Sequence, residues 1–404
     1  MIAEHERQLL EEKLVQAQHI LNECDLDLWM LVASESDVMG DPTFPLVVGT
    51  SVTWPSAFLL TRHGDRIALV GTGDVENVRQ LGTWHRVIGY VERFGQPLRD
   101  LLDELHPQTI GVNYSKDNPL ADGIPHGFFL YLQDILADTP YWERVISAEP
   151  VVMRLRSRKS PEELRRMRQA VATTCEIWQT LHAWLRPGLS ERDIAAFLHA
   201  EVQRRGLTTA WDARYCPTVT AGPNSPIGHT GPTDIVLEPG QLLAIDFGVR
   251  QDGYCSDMQR TFYVLAPGES VPPQPVQEAF ELVAQTIAQA AAALRPGVAG
   301  WEVDQVAREC FARAGVEPWA FALGHQVGRA VHDGGCLLGP RWERYGQQPF
   351  YTVEPGHVYT LELGLSVPGY GRVSLEEEVL VTETGCEFLA PPQRELLLVP
   401  SAHA

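Results

Sequence analysis

The residues best suited to chemistry lie in the second half of the chain. Asp246 and Asp257 sit eleven positions apart in LLAIDFGVRQDGYCSDMQRTFYV. Two apolar, strand-like runs flank Asp252-Gly253, a dipeptide that suits a type I′ hairpin turn. With Gln251 paired to Tyr254, Asp257 falls opposite Gly248. That is two residues from Asp246, on the same face of the hairpin. The two carboxylates are then diagonal neighbours, roughly 7 Å or less apart. Like charges that close on an apolar hairpin destabilise it unless neutralised, and a divalent cation is the natural neutraliser. Two solvated acids on an exposed sheet face would give the same pattern.

Further donors follow. LGHQVGRAVHDGG carries His325 and His332, punctuated by Gly324, Gly328, Gly334 and Gly335. Those glycines let the backbone approach a neighbour closely. The isolated His63, His85, His106 and His126 read as structural or solvated. HVYTLELGL alternates as a strand with Glu362 among apolar neighbours, and RVSLEEEVLVT alternates as another with Glu376, Glu377 and Glu378 in a row. An acid in so apolar a run is costly to bury unless it is paired or metal-bound. Glu376 and Glu378 share one face and Glu377 the other. The pattern alone does not choose between the first two.

These residues must be positioned by a larger frame. The 404 residues suit two domains, with 44% hydrophobic residues to fill their cores. Residues 1–155 read as an α/β domain. It holds a helix near 4–22, the strand LDLWMLVA, a hairpin FLLTRH–GD–RIALVG with a Gly-Asp turn, and strands at HRVIGYV and TIGVNYS. Helical segments fall near 96–105 and 126–137. A second domain, 156–404, opens at RSRKSPEEL. There Ser160 suits an N-cap, Pro161 the first helical position, and Glu163 the third position after the cap. AWLRPGLSERDIAAFLHAEVQRRG and AALRPGVAGWEVDQVARECFARAG then repeat helix, Leu-Arg-Pro-Gly turn, helix and Gly stop at an offset of 109 residues. Duplication of an α+β half places a site between two similar halves.

Composition narrows the partners. Acidic residues outnumber basic ones by 52 to 32, a formal charge of −20. No basic cluster is dense enough to follow a phosphate backbone, so nucleic acid is not an expected partner. Seven scattered cysteines without a CxxC pair argue for reduced thiols in a cytoplasmic protein rather than a disulfide framework. No run approaches the roughly 18 apolar residues that span a bilayer. The charged opening segment is not a signal peptide.

Taken together, the motifs resemble the pita-bread metallopeptidases: creatinase, prolidase, aminopeptidase P and methionine aminopeptidase. The family spacing is matched by His229 in SPIGHTG, 17 residues before Asp246, by Asp246 and Asp257, and by His325 followed seven residues later by His332. Thr360-Leu361-Glu362 fits the first glutamate strand, and Glu376 before VLVT fits the second, so the resemblance selects Glu376 over Glu378 as a ligand. It implies an α+β pita-bread catalytic domain behind an N-terminal creatinase-like α/β domain. Some positions depart from the pattern. Leu363 replaces a proline after Glu362, Asp333 replaces a glutamate after His332, and Ser374 stands where proline-directed members often carry arginine.

The resemblance also implies a mechanism. Asp246, Asp257, His325, Glu362 and Glu376 would hold two divalent ions, Asp246 and Glu376 lying between them. A hard, oxygen-rich set favours Mn²⁺, with Co²⁺, Fe²⁺ or Zn²⁺ also accommodated. A water activated there would attack the scissile carbonyl. Glu362 would carry the proton to the departing nitrogen, while His229 and His332 hold the substrate and its oxyanion. The expected reaction is hydrolysis of an Xaa-Pro bond, with proline after the cleaved bond, in dipeptides whose carboxylate pairs with Arg329 or Arg372. Aminopeptidase P activity on longer peptides is the near alternative. A metal-free creatinase-like hydrolase and a non-catalytic binding module are the others. A homodimer is implied by resemblance.

Overall fold

A computed structural model of the chain describes residues 3–228 and 230–401. The chain divides into two compact units. One runs to Arg156 and includes Ser160–Glu162; the other comprises Ser157–Lys159 and the chain from Glu163 onward.

The first unit is built on six strands: β1 (Leu28–Ala33), β2 (Ser56–Thr61), β3 (Arg66–Gly71), β4 (Arg86–Tyr90), β5 (Ile110–Val112) and β6 (Val145–Ser147). They run in the order β4-β3-β2-β1-β5-β6. β1, β2 and β3 are antiparallel to their neighbours in that run, while β4, β5 and β6 each join in parallel. Every residue of β1 is buried, as expected for a continuous apolar run covered on both faces. Trp29 and Leu31 pack with helix α1 (Glu4–Glu23), whereas Leu28, Met30 and Val32 pack with α4 (Gly95–Leu105) and α5 (His126–Leu136). Two short helices, α2 (Phe44–Val47) and α3 (Val75–Leu81), connect β1 to β2 and β3 to β4.

The β2–β3 connection corrects the expected Gly-Asp turn. Leu60 pairs with Arg66 and the Thr61 N–H donates to Asp65 O at 3.0 Å, so the loop comprises Arg62 to Gly64. Side chains close it: Thr61 Oγ1 donates to Asp65 Oδ2 at 2.7 Å, and the Asp65 N–H donates to Thr61 Oγ1 at 3.0 Å. That mutual cap favours the wider loop over a two-residue turn.

Helices α6 (Glu149–Ser157) and α7 (Pro161–Trp184) follow, then α8 (Glu191–Arg204), α9 (Gln274–Ala293) and α10 (Gly300–Arg313). The sequence repeat is a structural repeat. α7 and α9 end 109 residues apart, as do α8 and α10. The N–H of Gly188 donates to Leu237 O and that of Gly297 to Val353 O, at 2.8 and 2.9 Å. Both glycines adopt a left-handed backbone, φ +88° and +91°.

The strands of this second unit are β7 (Thr208–Thr209), β8 (Thr218–Ala221), β9 (Leu242–Phe247), β10 (Val249–Gln251), β11 (Tyr254–Cys255), β12 (Met258–Val264), β13 (Val358–Val367), β14 (Gly371–Val381), β15 (Cys386–Phe388) and β16 (Leu397–Val399). The main sheet runs β13-β14-β12-β9-β8, with β15 on β14 and β16 on β12; β11-β10-β7 form a small sheet. Strand parity decides which side chains enter the core. Ile245, Phe247 and Phe262 pack with α7 and α8, and Leu361, Leu363, Leu375 and Val379 pack with α9 and α10. The acids Asp246, Asp257, Glu362 and Glu376 have the opposite parity to these core residues.

Candidate metal centre

The hairpin register carries the first two carboxylates. Asp252 and Gly253 have φ of +49° and +79°, the conformation that a type I′ turn requires. Gln251 pairs with Tyr254, Phe247 with Met258 and Asp246 with Gln259. The register thus continues unchanged past the irregular stretch at Gly248. A Cβ on Gly248 would lie 1.8 Å from Ser256 O, so only glycine lets the two arms close here.

From Asp246 a row of side chains crosses the sheet. Thr218 pairs with Asp246, Asp246 with Gln259, Gln259 with Glu376, and Glu376 with Glu362. Directly opposed residues share a face, so three acids and one amide stand in line. Asp257 and Glu378 are two positions further along the same face. The Asp257 N–H donates to Glu378 Oε1 at 2.7 Å. Glu377 turns to the other face, where the Arg260 guanidinium donates to both of its oxygens at 3.1 and 3.0 Å. Pattern reasoning assigned these faces correctly.

His325 comes from a loop that behaves as a partial strand along β13. The Thr360 N–H donates to His325 O at 2.8 Å and the Glu362 N–H to Leu323 O at 2.7 Å. Gly324 makes this approach possible, since a Cβ there would lie 1.9 Å from Thr360 O. The imidazole Nε2 then stands 3.6 Å from Glu362 Oε1, 3.8 Å from Asp257 Oδ2 and 3.9 Å from Glu376 Oε1. One ligand atom each from Asp257, His325 and Glu376 fit within 4.8 Å of one another. Asp246 lies within hydrogen-bonding reach of Asp257.

The electrostatics call for cations. Burial pushes Asp246 up to about 7. Burial, and then the Asp246 carboxylate, push Glu362 up to about 8. Asp257 and Glu376 rise well above the usual range, through burial first and the neighbouring acids second. Burial, and then His332, hold His325 down to about 3, so it stays neutral with a lone pair to offer. Asp246 Oδ1, Glu376 Oε2 and Glu378 Oε2 are buried without a hydrogen-bond partner. Buried carboxylate oxygens in that state are unfavourable unless protonated or bound to metal. These donors fit hard divalent cations.

His332 is exposed, its ring edge-on to His325 with centroids 4.3 Å apart. Arg372 lies across Gly364, where a Cβ would be 2.1 Å from its Nη2, and it interacts electrostatically with Glu362. Arg329 stacks over Tyr254 at 5.3 Å and against Gly253, and its contacts are with the hairpin end rather than with the carboxylates. His229 lies outside the described residues. Sequence reasoning passed over Gln259; it named Ser374 only as a departure from the family pattern and Glu378 only as an alternative to Glu376. The register that put Asp257 beside Asp246 also puts Gln259 directly opposite Asp246, so that signal was present.

The chain belongs to metallopeptidase family M24, whose family model matches residues 165–383; it is a peptidase, and membership implies divalent metal cofactors. It is 27% identical to an uncharacterized peptidase of Bacillus subtilis, YqhT, over 345 residues, covering 85% of this chain and 90% of that one. It is also 27% identical to an Xaa-Pro dipeptidase of Pyrococcus horikoshii over 297 residues, 73% of this chain and 78% of that one. The solved X-Pro aminopeptidase of Thermotoga maritima MSB8 has the same fold, with a TM-score of 0.70 at 23% identity across 96% of this chain and 99% of that one. The fold is thus a pita-bread domain preceded by an N-terminal domain.

Proposed function

We propose that this peptidase hydrolyses the Xaa-Pro bond, chiefly in dipeptides, with two divalent cations held by Asp246, Asp257, His325, Glu362 and Glu376. One observation carries the reading. A neutral imidazole nitrogen faces three carboxylates within 3.9 Å, on a face where buried carboxylate oxygens have no partner. By the family resemblance, Asp246 and Glu376 would serve both ions. Asp257 would complete one, and His325 with Glu362 the other. Mn²⁺ suits this oxygen-rich set best.

Bound cations would supply an acidified water as nucleophile and polarise the scissile carbonyl. Glu362, at the edge of the row and 30% exposed, accepts the nucleophile's proton and passes it to the leaving nitrogen. His332 at the rim donates to the developing oxyanion, and His229 is assigned to the same substrate cradle by sequence spacing. Of the two arginines, Arg372 is the better placed for the substrate carboxylate because it already lies beside Glu362. The similarity to an Xaa-Pro dipeptidase supports the substrate class. Seven free cysteines support a cytoplasmic setting.

One activity panel tests this: Ala-Pro, Leu-Pro and Xaa-Pro tripeptides, each with Mn²⁺, Co²⁺ and Zn²⁺. The expected result is fastest turnover of a dipeptide with Mn²⁺ and none after chelation. Preference for tripeptides would move the assignment to aminopeptidase P. Full turnover after complete metal removal would leave only a metal-free hydrolase.

A further inference from the structure

Gln259 stands at the centre of the carboxylate row, between Asp246 and Glu376, and it is buried. A neutral amide in that place has one orientation that helps and one that harms. Nε2 can donate to a carboxylate, whereas Oε1 would repel one. Ser374 decides between them. Its hydroxyl donates to Gln259 Oε1, which leaves Nε2 to donate to Glu362 Oε2 at 3.2 Å.

Ser374 is itself fixed. Its N–H donates to Thr261 Oγ1 at 2.9 Å, and that hydroxyl donates back to Ser374 O at 2.7 Å. β12 and β14 share the single register pair Gln259–Glu376, and next to it this hydroxyl bridge takes the place of the ladder. The contacts thus run Thr261 to Ser374 to Gln259 to Glu362. They end on Oε2 of Glu362, while Oε1 is the oxygen 3.6 Å from His325 Nε2.

We propose that Gln259, oriented by Ser374, is a positioning residue. It holds one oxygen of Glu362 so that the other is kept for the cation beside His325. The inference rests on the metal-centre reading above. Outer partners that orient a ligand typically change metal affinity by about 10- to 100-fold when removed.

The test is calorimetric titration of the metal-depleted full-length protein with manganese chloride alone. Wild type, Gln259→Leu, Ser374→Ala and Ser374→Thr are compared. Gln259→Leu and Ser374→Ala are expected to weaken one ion about 10- to 100-fold and leave the other within about twofold. Ser374→Thr keeps the hydroxyl and is expected to restore wild-type binding. Unchanged binding of both ions in the first two variants would overturn the positioning role, as would equal weakening of both ions. A wild-type chain that binds no manganese would instead overturn the metal-centre reading. If Gln259→Leu does not fold, Ser374→Ala decides alone, because it removes only one hydroxyl.

Discussion

Asp257 joins two functions in one side chain: it faces His325 through Oδ2 and fixes Glu378 through its own N–H. Asp257→Asn keeps the size and removes the charge. We expect the variant to fold, to bind one manganese fewer, and to lose about 100-fold or more in kcat, the scale of removing one electrostatic group from an active site. Metal analysis with steady-state kinetics checks this, and a fully active variant would refute the ligand assignment. Arg372→Ala should raise KM for dipeptides more than for longer peptides, because only a dipeptide presents its carboxylate that close to the cleaved bond. Equal effects on both would remove the anchor. At this scale much was legible from sequence, because the spacing of the acids follows strand register. Parity grouped Asp246 with Asp257 and Glu376 with Glu378, the family resemblance chose Glu376, Glu362 stood out as an acid in an apolar strand, and His325 was singled out by its glycine-rich loop. Gln259 was not singled out, and Ser374 was noted only as a departure from the family pattern. Uncharged residues give no signal of unpaired charge, and the contact between them links strands far apart in sequence. Glu378 was seen as a candidate, but nothing in the pattern reveals that it accepts the Asp257 N–H.

Two close approaches of backbone position the site at the level of elements. Gly324 brings the His325 segment against β13, and Gly248 lets the hairpin arms close. Gly324→Ala would drive a methyl into Thr360 O, so the segment must shift. We expect a cost of about 1–3 kcal/mol in urea unfolding of the metal-free protein, the usual range for overpacking. We also expect manganese affinity to fall, because His325 moves with the segment. Unaltered stability and affinity would show that the contact is not needed. The hairpin and the duplicated helix pairs were readable because their pairing is local, set by a turn dipeptide and a repeated Leu-Arg-Pro-Gly stop. The run of His325 beside Thr360 was not, since no local rule pairs a loop with a strand 35 residues later. The β2–β3 loop was misread as a two-residue turn because the Thr61–Asp65 cap is a side-chain effect outside the Gly-Asp signal.

The whole molecule stores a cluster of acids whose protonation couples to stability. Asp246 is pushed to about 7, and Glu362 and Glu378 to about 8. Their unfolded values lie near 4. Between pH 4 and 8 the metal-free folded chain therefore holds more protons than the unfolded chain, and its stability falls as pH rises. His325, lowered to about 3, acts in the opposite sense but only below about pH 6.5, its ordinary value. From pH 6.5 to 8 the opposing pull of His325, and of His357, which burial also lowers, fades and the carboxylates set the sign. The metal-free Tm should drop over that window, and added Mn²⁺ should raise it most at the upper end, because cations replace the protons. Differential scanning calorimetry with and without chelator checks both statements; a metal-free Tm that rises over the window would contradict them. Net charge and composition could not reveal this coupling, which arises only when distant acids are folded onto one face.

The most direct measurement is anomalous diffraction at the manganese edge from crystals grown with excess Mn²⁺. The expected map has two peaks, both enclosed by Asp246, Asp257, His325, Glu362 and Glu376. A map with no peak among those five side chains would contradict the metal centre on which the rest depends.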